Sequence, residues 1–185
     1  PRFNRSAAVA DLYAPIRAGS DSAFLLGAIR YLIEHDRIQH EYVRHYTNAS
    51  MIVREDYDFD EGLFSGFDPQ KRQYDKVSWN YELDANGYAR RDDTWNHPRC
   101  VWNLLKQHVE RYTPELVNRL CGTSLHDFQR ICELLASTSA ANRTATILYA
   151  LGWTHHTTGA QTIRAAAMLQ LLLGNIGMAG GGVNA

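Results

Sequence analysis

Leu148-Tyr-Ala-Leu-Gly-Trp-Thr-His-His156 leads, through an apolar run, to Gly174-Asn-Ile-Gly-Met-Ala-Gly-Gly-Gly-Val-Asn184, and this stretch decides the fold. The β-branched and apolar residues from Thr144 to Leu151 predict a buried parallel strand that ends at Gly152. From Thr158 to Leu173 the chain carries Ala165, Ala166, Ala167, Met168, Leu169, Leu171, Leu172 and Leu173, which predicts a helix apolar almost all round. Such a helix belongs inside a larger protein and would expose its apolar surface in a piece this small. Strand, loop and helix in this order put the loop where open α/β sheets bind ligands. The fold class is therefore α/β, parallel strands with flanking helices.

Working outward, Gly19-Ser20-Asp21 predicts a turn with N-capping side chains, and Leu25, Leu26, Ile29, Leu32 and Ile33 continue as a helix to Glu34. A shorter helix is expected from about Gln39 to Tyr46, with Tyr42 and Val43 inward. Val101, Leu104, Leu105, His108 and Val109 form one apolar face. Thr113-Pro114-Glu115 reads as an N-cap with proline in the first turn, and Ser124-Leu-His-Asp127 as a capping box before Phe128, Ile131, Leu134 and Leu135. Between Asn48 and Asn96 the periodicity dissolves into acidic and aromatic residues. Trp79, Tyr81 and Leu83 followed by Asp84-Ala-Asn-Gly87 predict a hairpin there, whose aromatics fold back on the body of the protein.

The composition, 45% hydrophobic and 21% charged, is that of a globular chain and excludes simple disorder. A formal net charge of −1 with scattered basic residues leaves no nucleic-acid footprint. Cys100, Cys121 and Cys132 lack C-x-x-C spacing, so they are expected to be buried small hydrophobes, not zinc or cluster ligands. His155 and His156 are adjacent in an extended loop with no cysteine or carboxylate at ligand spacing, so no metal ligand is assigned.

Three constellations can carry binding chemistry. Pro15-Ile-Arg17-Ala-Gly-Ser-Asp21 offers a close backbone approach at Gly19, donors at Ser20 and the helix start, and in Asp21 an acceptor for the N–H edge of a purine. The plain alternative is that Ser20 and Asp21 only cap a helix. Gly152-Trp-Thr-His155 stands at a strand end. Gly180-Gly-Gly-Val-Asn184 is a glycine series that lets backbone N–H groups approach an anion, or is only a loop.

Together with His45-Tyr-Thr-Asn-Ala-Ser50, Glu61-Gly-Leu-Phe-Ser-Gly66, Ser78-Trp-Asn-Tyr81 and His97-Pro-Arg-Cys-Val-Trp-Asn-Leu-Leu-Lys106, these passages resemble, over essentially the whole chain, the major (alpha) subunit of respiratory, molybdopterin-dependent formate dehydrogenases. The phrases inside the insertion separate that family from shorter relatives such as nitrate reductases. The resemblance implies an internal portion of the molybdopterin oxidoreductase (DMSO reductase-like) fold. Residues 1–47 would end an α/β cofactor-binding unit with a guanosine-binding turn, 48–96 would be a family-specific insertion, and 97–185 would return to the same unit. It implies oxidation of formate to carbon dioxide at a molybdenum or tungsten centre held by two molybdopterin guanine dinucleotides and a selenocysteine or cysteine, in anaerobic respiratory electron transport. Arg17, Gly19, Ser20 and Asp21 would meet the guanosine of one dinucleotide. Gly152, Trp153, Thr154 and His155, the last standing where glutamine is usual, would lie against pterin and pyrophosphate. Gly182, Val183 and Asn184 would lead toward the catalytic arginine, expected beyond residue 185. The metal ligand and the cysteines of a 4Fe-4S cluster are expected upstream, so no catalytic residue is assigned within the chain. An iron–sulfur beta subunit, a membrane cytochrome b gamma subunit and a periplasmic location follow from the resemblance alone. Another molybdopterin oxidoreductase, or an inactive orphan fragment, is the alternative.

Overall fold

A computed structural model of the chain describes residues 2–60 and 62–185. Pro1, and Glu61, which begins one of the phrases quoted above, lie outside the described residues. Along the chain come α1 (Arg5–Ala8), α2 (Asp21–Glu34) and α3 (His40–Tyr46), then four two-residue strands, β1 (Phe59–Asp60), β2 (Leu63–Phe64), β3 (Phe67–Asp68) and β4 (Gln73–Tyr74). There follow α4 (Val101–Val109), α5 (Pro114–Cys121), α6 (Leu125–Ala136), β5 (Thr146–Leu148), α7 (Leu151–Thr154), α8 (Gly159–Leu172) and β6 (Gly182–Asn184). Helices and strands are mixed and β5 pairs with β6 in parallel, an α/β chain. It divides into two compact units, one made of the residues up to His45 together with His108–Ala185, the other of Tyr46–Gln107.

The first unit is a helical stack closed by one parallel strand pair. The α2 helix packs on α8, α5 and α6; its Leu25, Leu26, Ile29 and Leu32 are buried, as are Leu169 of α8, Val117 of α5 and Phe128 of α6. Each such side chain contributes about 1.5–3 kcal/mol of burial. The caps are those the sequence predicts: Thr113 accepts from the Leu116 N–H with Pro114 opening α5, and Ser124 accepts from the Asp127 N–H while donating its hydroxyl to the Asp127 carboxylate. The inner face of α6 is Phe128, Cys132 and Ala136, and Leu134, expected inward, is 58% exposed because it lies on the opposite side of the helix. All three cysteines are buried. Burial pushes the Cys132 thiol up to about 12, so it is an uncharged filler of the core.

Three expectations are corrected. The strand Thr144–Leu151 shortens to Thr146–Leu148, and it is not buried: Leu148 is 77% exposed. Its continuation Leu151–Thr154 winds into α7, so Gly152, Trp153 and Thr154 stand on a helical turn and not in an extended loop. Finally, α8 does not expose its apolar surface within this chain. Ala165, Ala166, Leu169, Leu172 and Leu173 are all buried, because α2 covers one side of the helix and β6 lies along another.

The second unit has little regular structure and is held by side chains. Arg99 donates from Nε to the Val53 carbonyl (3.1 Å) and from its guanidinium to the carbonyls of Arg54 (2.5 Å) and Tyr57 (2.7 Å), so one cation satisfies three loop acceptors. Phe64 packs on Phe59, Tyr74 and Trp79 with centroids 4.9–6.3 Å apart, and the Trp79 indole donates to the Ser65 carbonyl. The hairpin expected after Leu83 is present. Leu83 pairs with Ala89, and Asp84 Oδ1 accepts from the N–H groups of Asn86 and Tyr88 around the turn.

Candidate functional site

The site begins where β5 hands over to α7. Parallel pairing sets Thr146, Ile147 and Leu148 against Gly182, Val183 and Asn184, and the Tyr149 N–H donates to the Asn184 carbonyl at 2.9 Å, so both strands end together. Asn184 also donates from Nδ2 to Thr146 Oγ1 (2.5 Å). Two residues beyond Tyr149, α7 starts, and it presents Gly152, Thr154 and His155 exposed at this carboxyl end. Gly159, opening α8, fits directly behind: a Cβ there would lie 2.5 Å from the Trp153 carbonyl oxygen, which only glycine avoids.

Trp153 turns inward. Its ring stacks on Tyr149 with centroids 5.3 Å apart and planes 20° from parallel. Its indole Nε1–H donates to Asp21 Oδ1 at 3.0 Å, a bond between residues 132 positions apart in sequence. One residue further on, the Ser22 and Thr162 hydroxyls share a hydrogen bond of 2.7 Å, which ties α2 to α8. The structure thus brings the Gly19–Asp21 turn and the Gly152–His155 segment side by side.

The manner of that meeting differs from expectation in two ways. No strand precedes Gly19: among the described residues, Val9 to Ser20 form no regular element, and Gly19, at φ +84°, turns the chain directly into α2. Nor do the side chains of Ser20 and Asp21 cap the helix. Ser20 Oγ donates back to the Arg17 carbonyl (2.6 Å), and Asp21 is taken by Trp153, so the reading of both residues as simple caps does not hold. Arg17 has structural work of its own. Its backbone N–H donates to the Cys121 carbonyl, and its guanidinium to the carbonyls of Arg119 (2.5 Å) and Leu120 (3.2 Å), which satisfies the open end of α5 and anchors the turn. Burial raises the Cys121 thiol, keeping it protonated as it donates to the Ser20 carbonyl.

Gln170 was missed from the sequence. This side chain, fully buried in α8, donates from Nε2 to the carbonyls of Ala145 and Gly182, both at 2.8 Å, and so clamps β5 to β6. Asn175 in turn donates to Gln170 Oε1 at 2.7 Å. A lone amide in an otherwise apolar helical run was the available signal. Tyr149, which carries the Trp153 ring, was also missed, because aromatic residues at strand ends are too common to stand out.

The arrangement is one for binding. It offers a carboxylate at the first residue of a 14-residue helix, hydroxyl and imidazole groups on an exposed turn, and open backbone at Gly19 and Gly152, where a Cβ would meet nothing within 4 Å. The described residues hold no cluster of three or more histidine, cysteine or carboxylate side chains suited to a metal ion. No described helix is long and apolar enough to cross a membrane.

No protein-family model matches the chain. It is 68% identical over all 185 of its residues to the nitrate-inducible formate dehydrogenase major subunit of Escherichia coli (strain K12), and 60% identical over the same length to the formate dehydrogenase major subunit of Haemophilus influenzae. In each case the chain spans 18% of the relative's length. Among solved structures it resembles acetylene hydratase from Pelobacter acetylenicus, with a TM-score of 0.57 and 17% identity, over 94% of this chain and 16% of that one, a likeness of fold alone.

Proposed function

We propose, on the premise that this chain matches formate dehydrogenase major subunits from end to end, that it builds one wall of the cofactor site in a subunit that oxidises formate to carbon dioxide. The proposed cofactor is a bis-molybdopterin guanine dinucleotide with molybdenum or tungsten, within a molybdopterin oxidoreductase fold. When bound, this group supplies the redox chemistry, and the protein supplies binding, orientation and electrostatics.

The residues fit such a group. A guanine edge carries N–H donors, and Asp21 keeps one oxygen, Oδ2, without a donor among the described residues. The open backbone beside Gly19 and Gly152 lets a flat ring or a pyrophosphate come close, and Thr154 and His155 stand exposed to donate to phosphate or pterin oxygens. Arg17, tied to α5, positions the turn and keeps its remaining guanidinium N–H groups for the nucleotide. Ser20 presents hydroxyl lone pairs, and Gly182, Val183 and Asn184 fix the strand end below α7. In this reading residues 1–47 and 97–185 form one cofactor-binding unit interrupted by the insertion 48–96. No residue of the chain is assigned a catalytic role. A selenocysteine or cysteine metal ligand, a 4Fe-4S cluster, an iron–sulfur beta subunit, a membrane cytochrome b gamma subunit and a periplasmic location belong to the same proposal for the whole enzyme.

The observation that carries the reading is the Trp153–Asp21 hydrogen bond, which joins the two segments at the carboxyl end of the parallel pair. Gly152→Val tests it. A Cβ at Gly152 meets no atom of this chain within 4 Å, so the added side chain enters the space proposed for the ligand. In the full-length subunit, molybdenum and pterin per polypeptide are expected to fall with the melting temperature unchanged. Full occupancy in this variant would count against a cofactor at α7.

A further inference from the structure

Trp153 is fixed from two sides independently of Asp21. Tyr149 stacks on its ring, and its backbone is backed by Gly159 at a distance no side chain would allow. Asp21 is the reverse case. A carboxylate at the first position of a helix ordinarily turns toward the free N–H groups of the first turn, yet here no such cap forms, and among the described residues the one side-chain hydrogen bond of Asp21 is the one it accepts from Trp153. The rigid partner therefore sets the orientation of the flexible one.

We propose that Trp153 is a positioning residue for ligand recognition: its indole N–H occupies Asp21 Oδ1, which leaves Oδ2 turned outward as the acceptor for a base edge bearing N–H donors. This rests on the reading that Asp21 meets a guanine, and it adds the source of that contact's orientation. A carboxylate left free at a helix start would divide its time between the helix N–H groups and the ligand. A carboxylate held by a fixed donor meets the ligand without that ordering cost. The indole donor also disfavours an N–H group at the Oδ1 position, so an amide in place of the carboxylate must turn its oxygen toward Trp153 and its NH2 toward the ligand.

That last point supplies a test a purely structural role would not pass. In the full-length enzyme, the measurements are molybdenum and pterin per polypeptide and the release rate of guanine nucleotide, for Trp153→Phe, Asp21→Asn and the double variant. Trp153→Phe keeps the ring on Tyr149 and removes only the N–H, and release is expected to quicken about tenfold, the loss of one charge-assisted hydrogen bond. Asp21→Asn is expected to lose more, because the amide presents a donor to a donor. In the double variant the amide is free to flip and offer its oxygen, so occupancy is expected to rise above that of Asp21→Asn alone. Wild-type occupancy and release in Trp153→Phe, with Asp21→Asn impaired, would overturn the positioning role and leave the guanine reading standing. A double variant worse than either single one would reduce Trp153 to packing and overturn it as well. Wild-type behaviour of Asp21→Asn would remove the guanine reading itself, and the proposal with it.

Discussion

Gln170→Leu is expected to destabilise the β5–β6 pair by about 2–4 kcal/mol, since the leucine fills the space but leaves the half-buried Ala145 and Gly182 carbonyls without the Gln170 donor, and only Gly182 keeps a second one, from Thr146 Oγ1. The loss reaches further than the two carbonyls. Asn175, itself fully buried, loses one of the two oxygens its amide donates to, keeping Thr138 Oγ1, and its own Oδ1 already lacks a hydrogen-bond partner among the described residues. A half-satisfied buried network costs more than an apolar one. The pair is short, with three residues a side and Leu148 largely exposed, whereas parallel strands are ordinarily covered on both faces. Hydrogen exchange in the full-length subunit reads the effect locally. The Tyr149 amide, bonded to the Asn184 carbonyl, is expected to exchange roughly a hundredfold faster in the variant. Unchanged protection at Tyr149 would mean that the amide clamp is dispensable and that the strand end below α7 is fixed by something else.

Asp21→Ala is expected to lower affinity for the cofactor by about one to two orders of magnitude, through the loss of one interaction of about 1–3 kcal/mol, and to lower stability separately. The guanine donor loses its acceptor, and the half-buried Trp153 indole N–H loses the oxygen it is bonded to. Helix α2 itself should survive, because Asp21 makes no cap bond and the helix is held by the buried Leu25, Leu26, Ile29 and Leu32. Molybdenum and pterin per polypeptide, set beside the melting temperature, separate the two effects. Unchanged content and unchanged activity would leave Asp21 with no role in the cofactor site.

The helices were legible because their signals are local. Ser124 and Asp127, Thr113 and Pro114, and the apolar spacing of α2 act within a few residues of where they stand, and they form the predicted bonds. The strand was less so. An apolar run from Thr144 to Leu151 reads the same whether it continues as strand or winds into a helical turn, and what decides is tertiary: β6 pairs with only three of its residues, and the close seat of Gly159 against Trp153 holds the turn of α7. The capping reading of Ser20 and Asp21 failed for the same reason. Local propensity favours the cap, but a tryptophan 132 residues away competes for the carboxylate and wins. The site residues on both sides of that bond were visible as motifs, while Gln170, Tyr149 and the Ser22–Thr162 pair, which hold the two sides in place, act through contacts that no short window of sequence contains. The second unit was legible at its hairpin and at α4, whose apolar spacing is local, while Arg99 and the Phe64 cluster organise the rest of it without any periodic pattern.

Whether this segment holds the guanine end of a molybdopterin dinucleotide is decided by a structure of the full-length subunit with its cofactor bound. A guanine N–H is expected within about 3 Å of Asp21 Oδ2, with the Trp153 indole still donating to Oδ1 and no atom of the protein interposed at Gly19 or Gly152. A cofactor whose guanines both lie elsewhere, with Asp21 facing only Trp153 and solvent, would contradict it.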